Sequence, residues 1–256
     1  MIGVFDSGVG GLSVLGEIRR QLPAADLLYL ADRANSPYGE RELAEVRGLA
    51  EACVQHLLGQ GAELIVVACN TASAAALGHL RSLHPQVAFV GMEPAVKPAV
   101  AITRSGVIGV VATTATFQGE LFASLIGRLG GEVVVIAQAC PGWAEAVEAG
   151  KIDSAGTRRL VAEALAPVLR RGADTLVLGC THYPFLRATI EQLAGPQLAI
   201  IDPAPAVARQ VARLYPSRPG MGTLRISTTG DAVTFGTVAR QLAGVDGPVA
   251  AVTLGP

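Results

Sequence analysis

Short apolar runs alternate with longer stretches of helical spacing along almost the whole chain. Runs at 3–5, 27–30, 64–68 and 88–90 are separated by stretches such as 12–22 and 42–58, where apolar residues return every three or four positions. The pattern resumes with runs at 107–111, 133–137, 175–178 and 198–201 and helical stretches near 119–129 and 155–170. Such alternation predicts an α/β fold of mainly parallel sheets covered by helices on both faces. Strands buried on both sides need a well-filled interior, and half of the 256 residues are hydrophobic while only 16% are charged. At this length two compact lobes are expected.

In parallel α/β folds ligands bind beyond the carboxyl ends of strands, so the residues after each apolar run are the ones to inspect. They are Asp6, Ser7 and Gly8 after the first run, Cys69, Asn70 and Thr71 after the third, Thr113 and Thr116 after the run at 107–111, and Cys180, Thr181 and His182 after the run at 175–178. Carboxylates, thiols, hydroxyls and an amide thus gather at one kind of position.

Two of these segments resemble each other. Residues 61–71, GAELIVVACNT, align with 172–182, GADTLVLGCTH, with Gly, Ala, one Val and Cys identical and Glu63 opposite Asp174. A weaker echo relates 2–7, IGVFDS, to 108–113, IGVVAT. If duplicated lobes face each other, each presents one thiol from a strand end at the start of a helix. Exposed backbone N–H groups and the helix dipole there are expected to draw a thiol below its free pKa of about 8.5 and make it a usable base. Thiols on opposite sides of one carbon suit removal of a proton from one face and its return to the other, which inverts a stereocentre. Three rival readings compete. A disulfide is disfavoured in a reducing compartment. Zinc is disfavoured because Cys69, Cys180 and His182 lack paired C-x-x-C spacing. A single nucleophilic Cys with His182 as its base leaves the second thiol unexplained. Cys53, inside the helical stretch 40–59, reads as a small buried hydrophobe; Cys140 is undecided, and His56, His79 and His84 read as ordinary histidines.

Charge and hydropathy exclude other classes. Twenty Lys and Arg against 21 Asp and Glu leave a formal charge of −1, without the basic excess of a phosphate-backbone binder, so no nucleic acid partner is expected. Mean hydropathy is +0.44, but Gly, Pro and charges interrupt every apolar stretch before the ~18 residues of a membrane span. The opening MIGVFDSG enters a strand with no basic leader, so a cytoplasmic location is expected. No cofactor is expected either. Pyridoxal phosphate needs a lysine Schiff base, and the two lysines, Lys97 and Lys151, do not follow a strand. The DSGVGGLS segment lacks the third Gly of a dinucleotide fingerprint and the Lys of a P-loop. It is better suited to offer backbone N–H groups to a carboxylate.

The segments DSGVGGLSV (6–14), SPYG (36–39), ACNTAS (68–73), ATTAT (112–116), ACP (139–141) and GCTHYP (179–184) resemble the glutamate racemases, in that order and over nearly the whole chain. These belong to the wider group of cofactor-independent amino-acid racemases. The resemblance implies two pseudosymmetric lobes with the site between them, glutamate as substrate, D-glutamate for peptidoglycan synthesis, and a homodimer. It implies that Cys69 and Cys180 are the acid/base pair, the former acting on D-glutamate and the latter on L-glutamate. Asp6 and Asp32 match carboxylates on the Cys69 side, Glu148 and His182 match groups on the Cys180 side, and Ser7, Pro37, Tyr38 and Gly39 match substrate contacts. By their own chemistry Asn70, Thr71, Thr113, Thr116 and Thr181 are neutral donors suited to two carboxylates. Between ACP and Glu148 the chain departs from the family with Gly142, Trp143, Ala144 and Glu145, which leaves open whether Glu145 or Glu148 faces the site. The segment after Ser217 is expected to return to the first lobe, giving lobes of 1–92 plus 205–256 and of 93–204. Competing functions are a related racemase or decarboxylase acting on aspartate or another acidic substrate, and a two-lobed protein that binds an amino acid without chemistry. Two intact thiol motifs argue against a one-thiol decarboxylase.

Overall fold

Every residue of the first strand, β1 (Ile2–Asp6), is buried, as expected of an apolar run covered on both faces by helices. The computed structural model describes residues 1–127, 131, 133–215 and 220–255. After β1 the chain runs through α1 (Leu12–Gln21), β2 (Leu27–Ala31), α2 (Leu43–Gly59), β3 (Leu64–Val67), α3 (Asn70–Leu83) and β4 (Ala88–Gly91). It continues through α4 (Val96–Ile102), β5 (Val107–Ala112), α5 (Thr114–Gln118), α6 (Glu120–Gly127), β6 (Val134–Ala139), α7 (Trp143–Glu148), α8 (Ala155–Arg170) and β7 (Thr175–Leu178). Then follow α9 (Arg187–Ala194), β8 (Ala199–Ile201), α10 (Ala204–Leu214), β9 (Leu224–Thr228), α11 (Ala232–Ala243) and β10 (Val249–Ala251).

The strands form two sheets, β10-β9-β2-β1-β3-β4 and β6-β5-β7-β8, parallel throughout. Leaving aside β9 and β10 at the edge of the first sheet, the two share one order: second strand, first, third, fourth. Their registers agree as well. Ile2 pairs with Leu64 in the first sheet and Ile108 with Thr175 in the second, which are the equivalents given by the internal repeat. Gly61 and Gly172, the first residues of the repeated segments, adopt φ of 88° and 82°, a conformation that only Gly reaches without strain. Each lets the chain leave a helix, α2 or α8, and turn directly into a strand.

Period-two alternation divides the interior. Ile2 and Val4 face an apolar cluster that continues through Val9, Trp143 and Cys180 to Val111 and Leu178 of the second sheet. Phe5, Ile65 and Val67 face a second cluster beneath α2 and α3, and Ile108, Val110 and Val177 a third beneath α4. Ser154 and Asp231 start α8 and α11 by accepting the N–H groups of Thr157 and Thr234, each such cap contributing about 1 kcal/mol.

The helical stretch near 119–129 is α6, Glu120–Gly127, preceded by a short helix that the sequence reading did not mark. Thr113 caps an earlier helix, α5, by accepting the Thr116 N–H, and Gly119 is extended, with ψ of 144°, separating α5 from α6. A Cβ on Gly119 would lie 2.6 Å from Ala74 Cβ, so the break lets this corner press onto α3. Leu129 lies outside the described residues. Among the described residues no helix is long and apolar enough to cross a membrane.

Candidate active site

The carboxyl ends of β1 and β3 meet those of β5 and β7, and the contacts between them define the site. Cys69 is the N-cap of α3, where its sulfur accepts the Ala72 N–H at 3.4 Å; its thiol reaches Ser7 Oγ at 3.9 Å. Cys180 occupies the equivalent place after β7, its carbonyl accepting the Tyr183 N–H at the next turn. The two side chains belong to residues only 5% and 7% exposed, and each cysteine is a free thiol. They lie near enough that Cys180 bears electrostatically on Cys69. The expectation that a helix start lowers the thiol pKa fails at Cys69: burial pushes it well above the ordinary value of 9, the Asp6 carboxylate adds to the rise, and the Ala72 N–H offsets only part. Cys69 is therefore held as a thiol at neutral pH.

Asp6 ends β1 completely buried. Its Oδ1 accepts the Gly8 N–H at 2.8 Å, and its Oδ2 accepts the Thr181 hydroxyl at 3.0 Å from the opposite sheet. Burial raises its pKa, against the lowering influence of His182 and the Gly8 N–H.

On the Cys180 side, His182 Nδ1 stands 3.6 Å from Cys180 Sγ and His182 Nε2 stands 2.6 Å from Glu148 Oε1. Burial alone would lower the imidazole. Hydrogen bonds and charge from Cys180 and Glu148 outweigh it and lift its pKa well above 6.5. For Glu148 burial raises the pKa, but His182, the Val9 N–H and Arg33 together hold it below 4.5. The two are a buried ion pair at neutral pH. Glu148, not Glu145, is thus the carboxylate beside His182. Glu145 lines a cavity of about 20 Å³, one water in size, together with Pro37, Gly39, Thr113 and Cys140.

A set of neutral donors bridges the strand ends of the two sheets. The hydroxyls of Thr71, Thr113 and Thr116 contact one another at 2.9, 3.2 and 2.9 Å, joining the starts of α3 and α5. Asn70 is buried, and among the described residues neither the oxygen nor the nitrogen of its side-chain amide has a hydrogen-bond partner. An orphaned buried amide costs about 1–3 kcal/mol, which a bound carboxylate or ammonium would relieve.

The remaining expected residues divide. Ser7 reaches Cys69, and Gly39 abuts Thr113 so closely that a Cβ would sit 2.7 Å from Thr113 Cβ. Among the described residues Asp32 makes no hydrogen bond to Cys69, and its charge bears instead on the Cys53 thiol. Its oxygens accept from Tyr38 OH at 2.5 Å, Thr229 Oγ1 at 2.7 Å and Asn35 Nδ2 at 3.1 Å; being saturated, it anchors the Tyr38–Gly39 turn. The expected placement on the Cys69 side thus has no hydrogen bond to that sulfur behind it; the contacts Asp32 makes are to Tyr38, Asn35 and Thr229.

The glycines after Asp6 serve close approach. Gly8, Gly10 and Gly11 all have negative φ, yet a Cβ on Gly8 would lie 1.8 Å from Glu148 Oε1 and one on Gly10 would lie 2.4 Å from His182 Nδ1. Three contributors escape sequence reasoning. Arg33 binds Glu148 through Nε at 3.2 Å, Ser13 Oγ donates to the Thr181 carbonyl at 3.1 Å, and Tyr29 OH donates to the Gly8 carbonyl at 2.7 Å. Arg33 stands two residues beyond β2, within reach of the rule of inspecting strand ends; nothing in the sequence marks the other two. A separate cavity of about 920 Å³, lined by residues that include Phe89, Lys97 and Leu125, contains none of these groups.

Comparison with known proteins gives a consistent answer. The family described as Asp/Glu/Hydantoin racemase matches residues 2–211. The glutamate racemase of Roseiflexus sp. (strain RS-1) is 50% identical over 248 residues, covering 94% of this chain and 91% of that protein. The crystal structure of a glutamate racemase isoform from Bacillus anthracis superposes with a TM-score of 0.90 at 35% identity, covering 99% of this chain and 97% of the other. That of glutamate racemase from Francisella tularensis in complex with D-glutamate superposes with a TM-score of 0.86 at 25% identity, covering 98% and 97%.

Proposed function

The chain belongs to the Asp/Glu/Hydantoin racemase family, and on that premise we propose that it interconverts L- and D-glutamate by two-base proton transfer between Cys69 and Cys180, supplying D-glutamate for peptidoglycan synthesis. The observation that carries the reading is the placement of one thiol after β3 and one after β7, equivalent strands of duplicated sheets whose carboxyl ends meet. One thiolate removes the α-proton, forming an S–H bond. The opposite thiol gives its proton to the other face of the carbon, and the enzyme is left with the two protonation states exchanged. In the other direction the roles reverse.

The surrounding groups have parts that their chemistry supports. Asp6 is the partner for the substrate ammonium. Thr71, Thr113, Thr116, Thr181 and Asn70 bind the two carboxylates without adding a competing positive charge. His182, held as an imidazolium by Glu148, stabilises negative charge at Cys180. Ser7 orients the Cys69 sulfur; Pro37, Tyr38 and Gly39, braced by Asp32, close the site over the threonines. A lone nucleophile at Cys180 with His182 as base would leave Cys69 idle, although it sits in the same strand-end setting. With the thiols so buried, substrate entry requires the two halves to part along the seam.

The same reading makes the protein a cytoplasmic homodimer with lobe boundaries near 92 and 204, and it calls on no cofactor. Incubating the purified protein with L-glutamate and no pyridoxal phosphate, and following optical rotation to zero, tests it. A persistent rotation with L-glutamate but loss with L-aspartate would transfer the activity to the shorter substrate, and persistence with both would refute racemisation.

A further inference from the structure

We propose that Arg33 is a positioning residue for proton transfer at Cys180: its guanidinium fixes Glu148, and Glu148 fixes His182 against the sulfur. The inference rests on the racemase reading above. Arg33 opens the turn that follows β2 in the first sheet, whereas Glu148 ends α7 beside the second. The bond between them therefore crosses the seam. Arg33 Nε donates to Glu148 Oε2 at 3.2 Å and Nη2 donates to the Glu148 backbone carbonyl at 3.0 Å. Gripping carboxylate and carbonyl of one residue fixes both its rotamer and its backbone, which a planar fork of donors does and a point charge cannot.

The other oxygen, Oε1, accepts the Val9 N–H at 2.7 Å and faces His182 Nε2 at 2.6 Å. Among the described residues Arg33 is the only hydrogen-bond donor to Oε2. The ion pair has side chains 18% and 12% exposed, so solvent screens it far less than a surface pair. The chain makes room for it: a Cβ on Gly230 would stand 3.0 Å from Arg33 Cβ. Deleting the guanidinium leaves a mostly buried carboxylate oxygen without a donor. The carboxyl group then turns toward water and takes Oε1 away from His182, so the imidazole loses the partner that aims it at Cys180.

The test compares wild type, Arg33→Ala and Arg33→Lys by kcat and KM for each enantiomer, with and without added guanidinium ion. We expect Arg33→Ala to lower kcat about tenfold in both directions, about 1.4 kcal/mol, with KM within about twofold of wild type. Guanidinium restores several-fold of that rate and leaves wild type unchanged. Arg33→Lys, which keeps the charge without the fork, stays several-fold below wild type and folds even if the alanine variant does not. A wild-type kcat in Arg33→Lys together with Arg33→Ala overturns the inference, as does a loss confined to KM or one that guanidinium fails to restore. Failure of the wild-type protein to racemise glutamate would instead overturn the activity on which the inference rests, so the two outcomes are distinct.

Discussion

Replacing Gly10 by Ala adds one methyl group at a point where the two halves press together on the Cys180 side. The added carbon would sit 2.4 Å from His182 Nδ1 and 2.6 Å from Thr181 Oγ1. Ordinary contact begins near 3.4 Å, so the halves must separate by about 1 Å, and a misplacement of that size costs about 100-fold in rate. Because Gly10 has negative φ, the alanine imposes no backbone strain. The expected result is a fall of about 100-fold in kcat/KM for both enantiomers, measured by circular dichroism of the amino acid, with a Tm lowered by no more than corresponds to the about 1–3 kcal/mol that overpacking costs. Gly16→Ala on α1 is the control, because nothing lies within 4 Å of its added carbon; it should keep full activity. Wild-type turnover by Gly10→Ala would refute the close-approach argument, and a large drop in Tm would refute its confinement to the site.

Three further outcomes follow from the same geometry. Cys69→Ser and Cys180→Ser should each lose racemisation by at least about 100-fold, checked by chiral chromatography, because each enantiomer needs one sulfur as base and the other as acid. Glu148, held below 4.5, contributes stability above that pH and loses it as pH falls through its lower folded value; His182, held above 6.5, contributes below that pH and loses it as pH rises through its higher folded value. The Tm deficit of Glu148→Gln should therefore be largest between pH 4.5 and 6.5 and shrink on both sides, and a deficit flat with pH would contradict the ion pair. Asn70→Leu removes an unpartnered buried amide and should raise stability by about 1 kcal/mol while raising KM; denaturant melts and steady-state kinetics report the two effects, and a destabilised variant would show that Asn70 holds the fold rather than the substrate.

The two sheets were legible in the sequence because parallel strands buried on both faces leave short, uninterrupted apolar runs. The thiols were legible for a stronger reason. Residues 61–69 and 172–180 repeat a turn, a strand and a sulfur in one register, and the pairing of Ile2 with Leu64 and Ile108 with Thr175 follows that repeat. The helix near 119–129 was legible and is α6, whereas the short α5 before it was not, because apolar spacing does not reveal that Gly119 must be extended to press on α3. Asp32 was placed on the Cys69 side by family resemblance, but its partners Tyr38 and Thr229 are 6 and 197 residues away and no local pattern points to Thr229. Arg33 and Ser13 act through contacts whose existence depends on how the halves meet, and Tyr29 through one between neighbouring strand ends far apart in sequence. The direction of the Cys69 shift was also out of reach, since a helix start is local and burial is not.

The central claim is that Cys69 and Cys180 address one carbon from opposite faces. Its most direct test is the position of isotope early in the reaction: L-glutamate in deuterated water, stopped within the first few per cent of turnover, with deuterium at the α-carbon measured separately in each enantiomer. Two facing bases predict deuterium in the D-glutamate formed and almost none in the L-glutamate that remains. Equal labelling of the remaining substrate and the product would mean a single base serving both faces, and would contradict the account.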